Sequence, residues 1–227
     1  NARRRILAAS LAAATLALLG PQVHAQAPKV LKISHQFPGG TIDEGDFRDR
    51  MLRKFAAEVE KRTNGQLKFE IYPGGSLVKP VEQWGAMANG SLDLSLYPLA
   101  YAGGRVPELN IGLMPALVTS YEQGLRWKDA PIGKELTRIV EEKGVKIITW
   151  VWQAGGIASR GKPILQPDDV KGLKFRGGSK EMDMMLKAAG ASPTNVPSSE
   201  IYNAMQSGVL DAALTSSTSL ISFRLHE

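Results

Sequence analysis

The feature that most narrows the fold is a segment that occurs twice. Glu82 to Leu96 reads EQWGAMANGSLDLSL, and Glu200 to Leu214 reads EIYNAMQSGVLDAAL. The two agree at a glutamate, an aromatic residue, Ala-Met, a glycine, Leu-Asp and a final leucine, at a constant offset of 211 − 93 = 118 residues. Each copy has the form of a helix, a glycine stop and a strand. Two copies in one chain predict two lobes of similar topology. Chance likeness between two common helix-turn-strand units is the competing explanation, and the number of matches within so short a segment makes it the less economical one.

The residues before each copy fit this plan. Val30 to His35 alternates as a strand, and Gln36-Phe37-Pro38-Gly39-Gly40 leaves its end as a loop. Asp46 opens a predicted helix to Thr63, with Phe47, Met51, Leu52, Phe55, Ala56 and Val59 on one stripe and Asn64-Gly65 as the stop. Leu67 to Tyr72 reads as the next strand, and a β-α-β order implies parallel strands with a right-handed crossover. A glycine- and proline-rich linker follows Tyr97-Pro98, then a helix from Ile132 to Lys143. The apolar run Val145 to Trp152 is predicted to be a strand that crosses from one lobe to the other. Gly155-Gly156 then supplies a bend suited to a hinge, with Ile157 to Arg160 continuing its edge. In the second half Leu173 to Arg176 reads as a strand, with Ser179 as N-cap of a helix over Lys180 to Ala189. The expected organisation is a signal peptide at 1–25, a first lobe with the hinge crossing at 26–150, and a second lobe at 151–227. The fold class is α/β, with a cleft between the lobes.

Composition removes several classes of chemistry. The chain contains no cysteine, which excludes disulfides, thiolate zinc sites and a cysteine nucleophile. Its formal charge of +6 includes Arg3, Arg4 and Arg5; without them 28 − 3 = 25 basic residues face 22 acidic ones. That mild excess does not point to nucleic acid. Asn1 to Ala25 has an arginine-rich start, an apolar run from Ile6 to Leu19 and Val23-His24-Ala25 as a cleavage site, so export with Gln26 as the new terminus is expected. An ordinary secretory signal fits better than a twin-arginine one. Gly156 to Lys162 satisfies the spacing of a phosphate loop, but Pro163 stands where a magnesium-binding Ser or Thr is needed. Of three histidines, His24 falls in the signal and His226 at the end of the chain, leaving His35 for hydrolytic or metal chemistry. No metal and no cofactor are predicted.

Arg176 is the focus of the binding prediction. It ends a strand next to a helix start, and in open α/β sheets the carboxyl ends of strands face the ligand crevice. The guanidinium and the N–H groups of the following helix both favour an anion there. A surface salt bridge is the plainer alternative. Trp150 and Trp152 share one face of their segment, which suits either core packing or a flat apolar wall of the cleft. Tyr97, after the strand Leu92 to Leu96, offers a phenol to the cleft or stays an exposed turn residue. Arg160 is either a second anion donor or a solvated charge. His35 and Gln36 leave the first strand's end, where a satisfied structural histidine competes with a cleft role. Ser198 is a weaker pocket candidate beside Pro197.

Three spaced stretches carry a resemblance. Val170-Lys171-Gly172-Leu173-Lys174-Phe175-Arg176, Met185 to Pro193, and Ser199 to Asp211 resemble the signature of TRAP-transporter (tripartite ATP-independent periplasmic) solute receptors of the DctP type. The resemblance implies a two-lobe periplasmic binding protein fold, type II-like, that closes on a small organic acid and hands it to a membrane permease. It implies that Arg176 pairs with the substrate carboxylate, that Arg160 reinforces it and that Gln36 touches ligand. It also implies a longer chain, whose C-terminal part returns to the first lobe. After Asp211 this sequence departs from the family: Ala212 to Ser217 replaces the usual Gly-Gln-Glu-Asn-Pro, and Thr215 stands in the asparagine's place, so the acid bound should differ. The rival expectations are a secreted hydrolase or isomerase on a similar scaffold, and a sensor subunit that presents ligand to a receptor.

Overall fold

The computed structural model describes residues 27–227, so the export-signal reading of residues 1–25 lies outside the described residues. Strand β1 (Lys29–His35), helix α1 (Phe47–Arg62) and strand β2 (Leu67–Tyr72) form the predicted β-α-β unit. Asp46 caps α1 by accepting the Arg48 N–H at 2.8 Å. Asn64 (φ 49°) and Gly65 (φ 75°) end it in the left-handed region. Helix α2 (Gln83–Ala88) leads to β3 (Leu94–Leu96). The three strands are parallel in the order β2-β1-β3, with Ile33 level with Ile71 on one side and Leu94 on the other. The chain then passes through the 3-10 turns Leu99–Ala102 and Pro107–Leu113 to α3 (Tyr121–Arg126) and α4 (Pro131–Glu142). These elements enclose a core of Trp84, Leu109, Trp127, Leu136 and Val140.

The second sheet contains β4 (Gly155–Ser159), β5 (Lys174–Arg176), β6 (Ser192–Pro193) and β7 (Ala212–Ser216) in the order β4-β7-β5-β6. Helices α5 (Lys180–Ala188), α6 (Ile201–Gln206) and α7 (Ser217–Ser222) accompany it. Only β4 runs antiparallel to its neighbour. A second core gathers around Phe175, which is wholly buried with Leu186 and Ala212 beside it. Burial of a side chain that size contributes about 1.5–3 kcal/mol. The result is an α/β protein of two lobes, each built on a parallel three-strand unit whose first strand lies in the middle.

The repeated segment repeats in three dimensions. The 3-10 turns Pro80–Glu82 and Ser198–Glu200 precede α2 and α6 at the same offset, and Gly90 (φ 78°) and Gly208 (φ 75°) stop those helices in the same conformation. The Leu92 N–H donates to the Ala86 carbonyl at 3.1 Å, and that of Leu210 to Ala204 at 2.9 Å. The shared Leu-Asp pair now has a reason. Both leucines are buried, and both carboxylates accept the backbone N–H of the adjacent central strand: Asp93 from Lys32 and Asp211 from Lys174, each at 2.8 Å. Each aspartate thus satisfies a donor that the short neighbouring strand does not reach.

Two expectations about the crossing segment fail. Residues 145–152 contain no strand, although their alternation is strand-like. Alternation supplies a buried face but not a lateral partner, and among the described residues no strand lies alongside to complete a ladder. The segment instead lies over the first core, where Trp152 packs on Trp127 with ring centroids 5.2 Å apart. Gly124 makes room for it: a Cβ there would stand 2.7 Å from the indole Cγ. Gly155 and Gly156 are not a bend; they pair with Ser216 and Thr215 inside β4. Among the described residues no helix is long and apolar enough to cross a membrane.

Candidate functional site

Arg176 ends β5 and is 4% exposed. Its Nε donates to the Val196 carbonyl at 3.0 Å and its Nη1 to the Leu214 carbonyl at 2.7 Å. Its Nη2 reaches the Tyr101 hydroxyl at 3.1 Å and the Ser198 hydroxyl at 3.4 Å. All four partners are neutral, and among the described residues no carboxylate forms an ion pair with it. Taking a cation out of water costs several kcal/mol unless a counter-charge is supplied. The site therefore presents a buried positive charge with no carboxylate in hydrogen-bond contact where the two lobes meet, the Asp183 carboxylate feeling it only through space. The surface salt bridge considered for Arg176 is not formed.

Tyr101, on the turn after β3, is the hub from the opposite lobe. Its oxygen accepts the Ser198 N–H at 2.9 Å as well as the Arg176 Nη2–H. Gln36 approaches it at 3.3 Å through Nε2, and the Ser198 Oγ lies 3.2 Å away. Gln36 and Ser198 are both buried, so these two sequence candidates join Arg176 in one cluster. Thr215 follows Leu214 in β7 and is 9% exposed. It is one residue on from the carbonyl that Nη1 holds and pairs with Gly156 of β4. Tyr97 packs edge-on to Tyr101 with centroids 6.0 Å apart. Among the described residues its hydroxyl is buried without a partner, and burial pushes the phenol above its ordinary range, with the Arg105 charge opposing. Tyr97 and Thr215 stand at matching places in the two repeats, 118 residues apart.

The other candidates have different roles. His35 is sealed, not cleft-facing: Nε2 lies 3.1 Å from the Asp49 carboxylate, and Nδ1 accepts the Phe37 N–H at 3.2 Å. Burial lowers its pKa against the opposing pull of Asp49, so the ring is a neutral structural element. Trp150 and Trp152 do share a face, stacked at 6.3 Å, but that face lies on the first core. They are packing residues and not a wall of the cleft. Ser179 is buried and accepts the Met182 N–H at 3.2 Å, which commits its hydroxyl to the helix cap. Arg160 is exposed and donates to the Met205 carbonyl at 3.2 Å. It cannot reinforce Arg176, because β4 is antiparallel to β7 and carries Arg160 to the Asp211 end of that strand. The Leu214 carbonyl that Arg176 holds is three residues further on, roughly 10 Å at strand rise.

Two residues central to the lobe contact had no part in the sequence reading. Tyr101 lay in a stretch read as linker; extending the repeat beyond Leu96 would have paired it with Ser219, at the same offset of 118. Arg48 was only a position on a helix. It is 1% exposed, bound to the Asp46 carboxylate at 2.9 Å through Nε and 2.6 Å through Nη2. It lies 3.7 Å above the Phe37 ring and crosses to the Ser219 and Ser222 hydroxyls at 3.0 Å each. A separate groove of about 680 Å³ runs between Pro107–Leu113 and α4. Arg138 there is already paired with Glu135 and Glu142, and Arg105 and Lys143 also line the groove.

Residues 40–227 match the family model DctP, bacterial extracellular solute-binding protein family 7. A solute-binding protein of Albidiferax ferrireducens is 67% identical over 197 residues, covering 87% of this chain and 58% of the relative. The C4-dicarboxylate-binding periplasmic protein DctP of Rhodobacter capsulatus is 30% identical, with 99% of this chain and 66% of that protein covered. Among solved structures, a TRAP periplasmic solute binding protein from Rhodoferax ferrireducens with bound malonate superposes with a TM-score of 0.85 at 67% identity, over 86% of this chain and 62% of that one. The chain therefore spans roughly three fifths to two thirds of the length of these relatives.

Proposed function

The chain belongs to the DctP family of bacterial extracellular solute-binding proteins, and on that premise we propose that it is part of a periplasmic receptor for a small organic acid. The lobes close on the acid, and the loaded receptor delivers it to a TRAP membrane permease. The observation that carries this reading is the burial of Arg176 between the lobes with neutral partners only. A carboxylate supplies the missing charge through charge-assisted hydrogen bonds, each contributing about 1.5–3 kcal/mol. The planar fork fixes the direction of the acid in a way a lysine would not. Gln36, Tyr97, Ser198 and Thr215 give the rest of the pocket a neutral, hydroxyl-rich lining suited to a short polar acid. The malonate held by the Rhodoferax ferrireducens protein supports the same substrate class.

The protein is read as a receptor without catalysis of its own. Its buried histidine is held by Asp49 and by the Phe37 amide, away from the Arg176 cluster. A thermal-shift screen with malonate and other short mono- and dicarboxylates tests the proposal, with mass spectrometry of the recovered compound. A ligand at a hundredfold excess over its Kd adds about 2.7 kcal/mol to folding stability. If no acid shifts the melting curve, or if the compound returns chemically altered, the reading is wrong.

A further inference from the structure

We propose that Gly178 is a positioning residue for the anion site: the bare backbone there is the seat that sets the plane of the Arg176 guanidinium. The inference rests on the carboxylate-receptor reading and adds the residue through which Arg176 is aimed. A Cβ built at Gly178 would stand 2.7 Å from Nη1, 2.9 Å from Cζ and 3.2 Å from Nη2 of Arg176. Cζ is nearer than Nη2, so that atom would press on the face of the guanidinium and not on its hydrogen-bonding edge. All five N–H bonds lie in the plane of the group. Whatever touches the face therefore governs where the hydrogens point, and a carboxylate takes a parallel pair of them only when they point at it.

The end of an arginine normally swings aside at little cost, but neither party here has room to yield. Arg176 is 4% exposed, with Nε on the Val196 carbonyl, Nη1 on the Leu214 carbonyl and Nη2 on the Tyr101 hydroxyl. On the other side the chain is pressed onto the start of α5. A Cβ at Gly177 would meet the Asp183 Oδ1 at 2.2 Å and its backbone N at 3.0 Å, and Ser179 is buried as the cap of that helix. Gly178 also has a φ of 96°, which favours glycine on its own account. That conformational demand and the contact with Arg176 are distinct, and Gly161 separates them. It has a similar φ of 91°, and among the described residues nothing lies within 4 Å of a Cβ built there.

The experiment compares Gly178→Ala with Gly161→Ala in the intact receptor. Both substitutions strain the backbone and should lower the melting temperature. Only Gly178→Ala should weaken malonate binding, about tenfold by calorimetry, which is the loss of one charge-assisted hydrogen bond. Without acid, the Arg176 Nε–H resonance, identified by its loss in Arg176→Lys, should move in Gly178→Ala and keep its place in Gly161→Ala. A Gly178→Ala protein that binds malonate as the parent does, or whose Nε–H resonance is unmoved, overturns the proposal. If Gly178→Ala does not fold, its combination with Arg176→Lys decides, because a lysine brings no planar head to that face. A folded double variant supports the contact; an unfolded one leaves the glycine to the turn alone and overturns the proposal. Should Arg176→Lys hold malonate as tightly as the parent, the carboxylate reading falls, while the acid-free resonance still decides whether Gly178 seats the arginine.

Discussion

Two buried arginines join the lobes, and they differ in what neutralises them. Arg48 and Arg176 are 1% and 4% exposed, and each reaches a hydroxyl supplied by the opposite repeat. Arg48 brings its counter-ion with it, because the aspartate that caps its helix two residues earlier also accepts from Nε and Nη2 along one edge of the guanidinium. Arg176 meets only carbonyls and hydroxyls. A charge balanced within its own element is a structural joint, independent of what enters the cleft. An unbalanced one creates a demand that an anion can meet. Burial alone would not separate the two residues; the source of the opposite charge does.

Substitution at Arg48 is expected to have the largest effect. Arg48→Met leaves the buried Asp46 carboxylate unpaired and should cost about 3–5 kcal/mol of stability in urea unfolding. A loss below about 1 kcal/mol would erase the distinction. Next comes Arg176→Met, which should lower malonate affinity about 100-fold, or about 2.7 kcal/mol, by calorimetry. The unfolding free energy of the acid-free protein should change by less than about 1 kcal/mol, since no carboxylate in hydrogen-bond contact with Arg176 is stranded. Marked destabilisation would mean that Arg176 is a joint like Arg48. Ser219→Ala removes one hydroxyl from the Arg48 side and should cost about 1.5 kcal/mol, with malonate affinity unchanged.

The smallest effect concerns acid. Burial pushes the Asp46 carboxyl up, but hydrogen bonds and charge from Arg48 outweigh it and leave it below its ordinary 3.8. A carboxyl depressed in the folded state contributes stability that is complete above that ordinary value and disappears as pH falls through the folded one. Asp46→Asn keeps the helix cap but has no proton to gain. Its stability should therefore flatten below pH 4, where the parent continues to fall. Parallel acid limbs in the two proteins would show that the Arg48 joint is not held by charge.

Local patterns gave most of the architecture and only part of the site. Asp46 and Ser179 were legible as helix caps, and Leu67 to Tyr72 as a strand, because capping and alternation act over a few residues. Arg176, Gln36 and Ser198 were legible as candidates from their positions at strand and turn ends, and the fold gathers them around Tyr101. Arg160 failed because its place depends on the direction in which β4 joins the sheet, which its own residues do not encode. The run 145–152 failed because a strand needs a neighbour, and the pattern of one segment cannot supply it. Tyr101 was missed because its importance comes from partners at 36, 176 and 198, all distant in sequence.

The notch at Gly124 has a mechanical consequence. With the Trp152 indole lodged against it and against Trp127, the covalent bridge between the halves is keyed to the first lobe as far as residue 152. Immediately beyond, the Ala154 amide is tied to the Tyr121 hydroxyl on that lobe, while the Ala154 carbonyl is tied to the Ser217 amide on the other. Within this crossing, the backbone left free of either lobe's hold is reduced to the few bonds around Gln153 and Ala154, a short axle on which a small twist carries far.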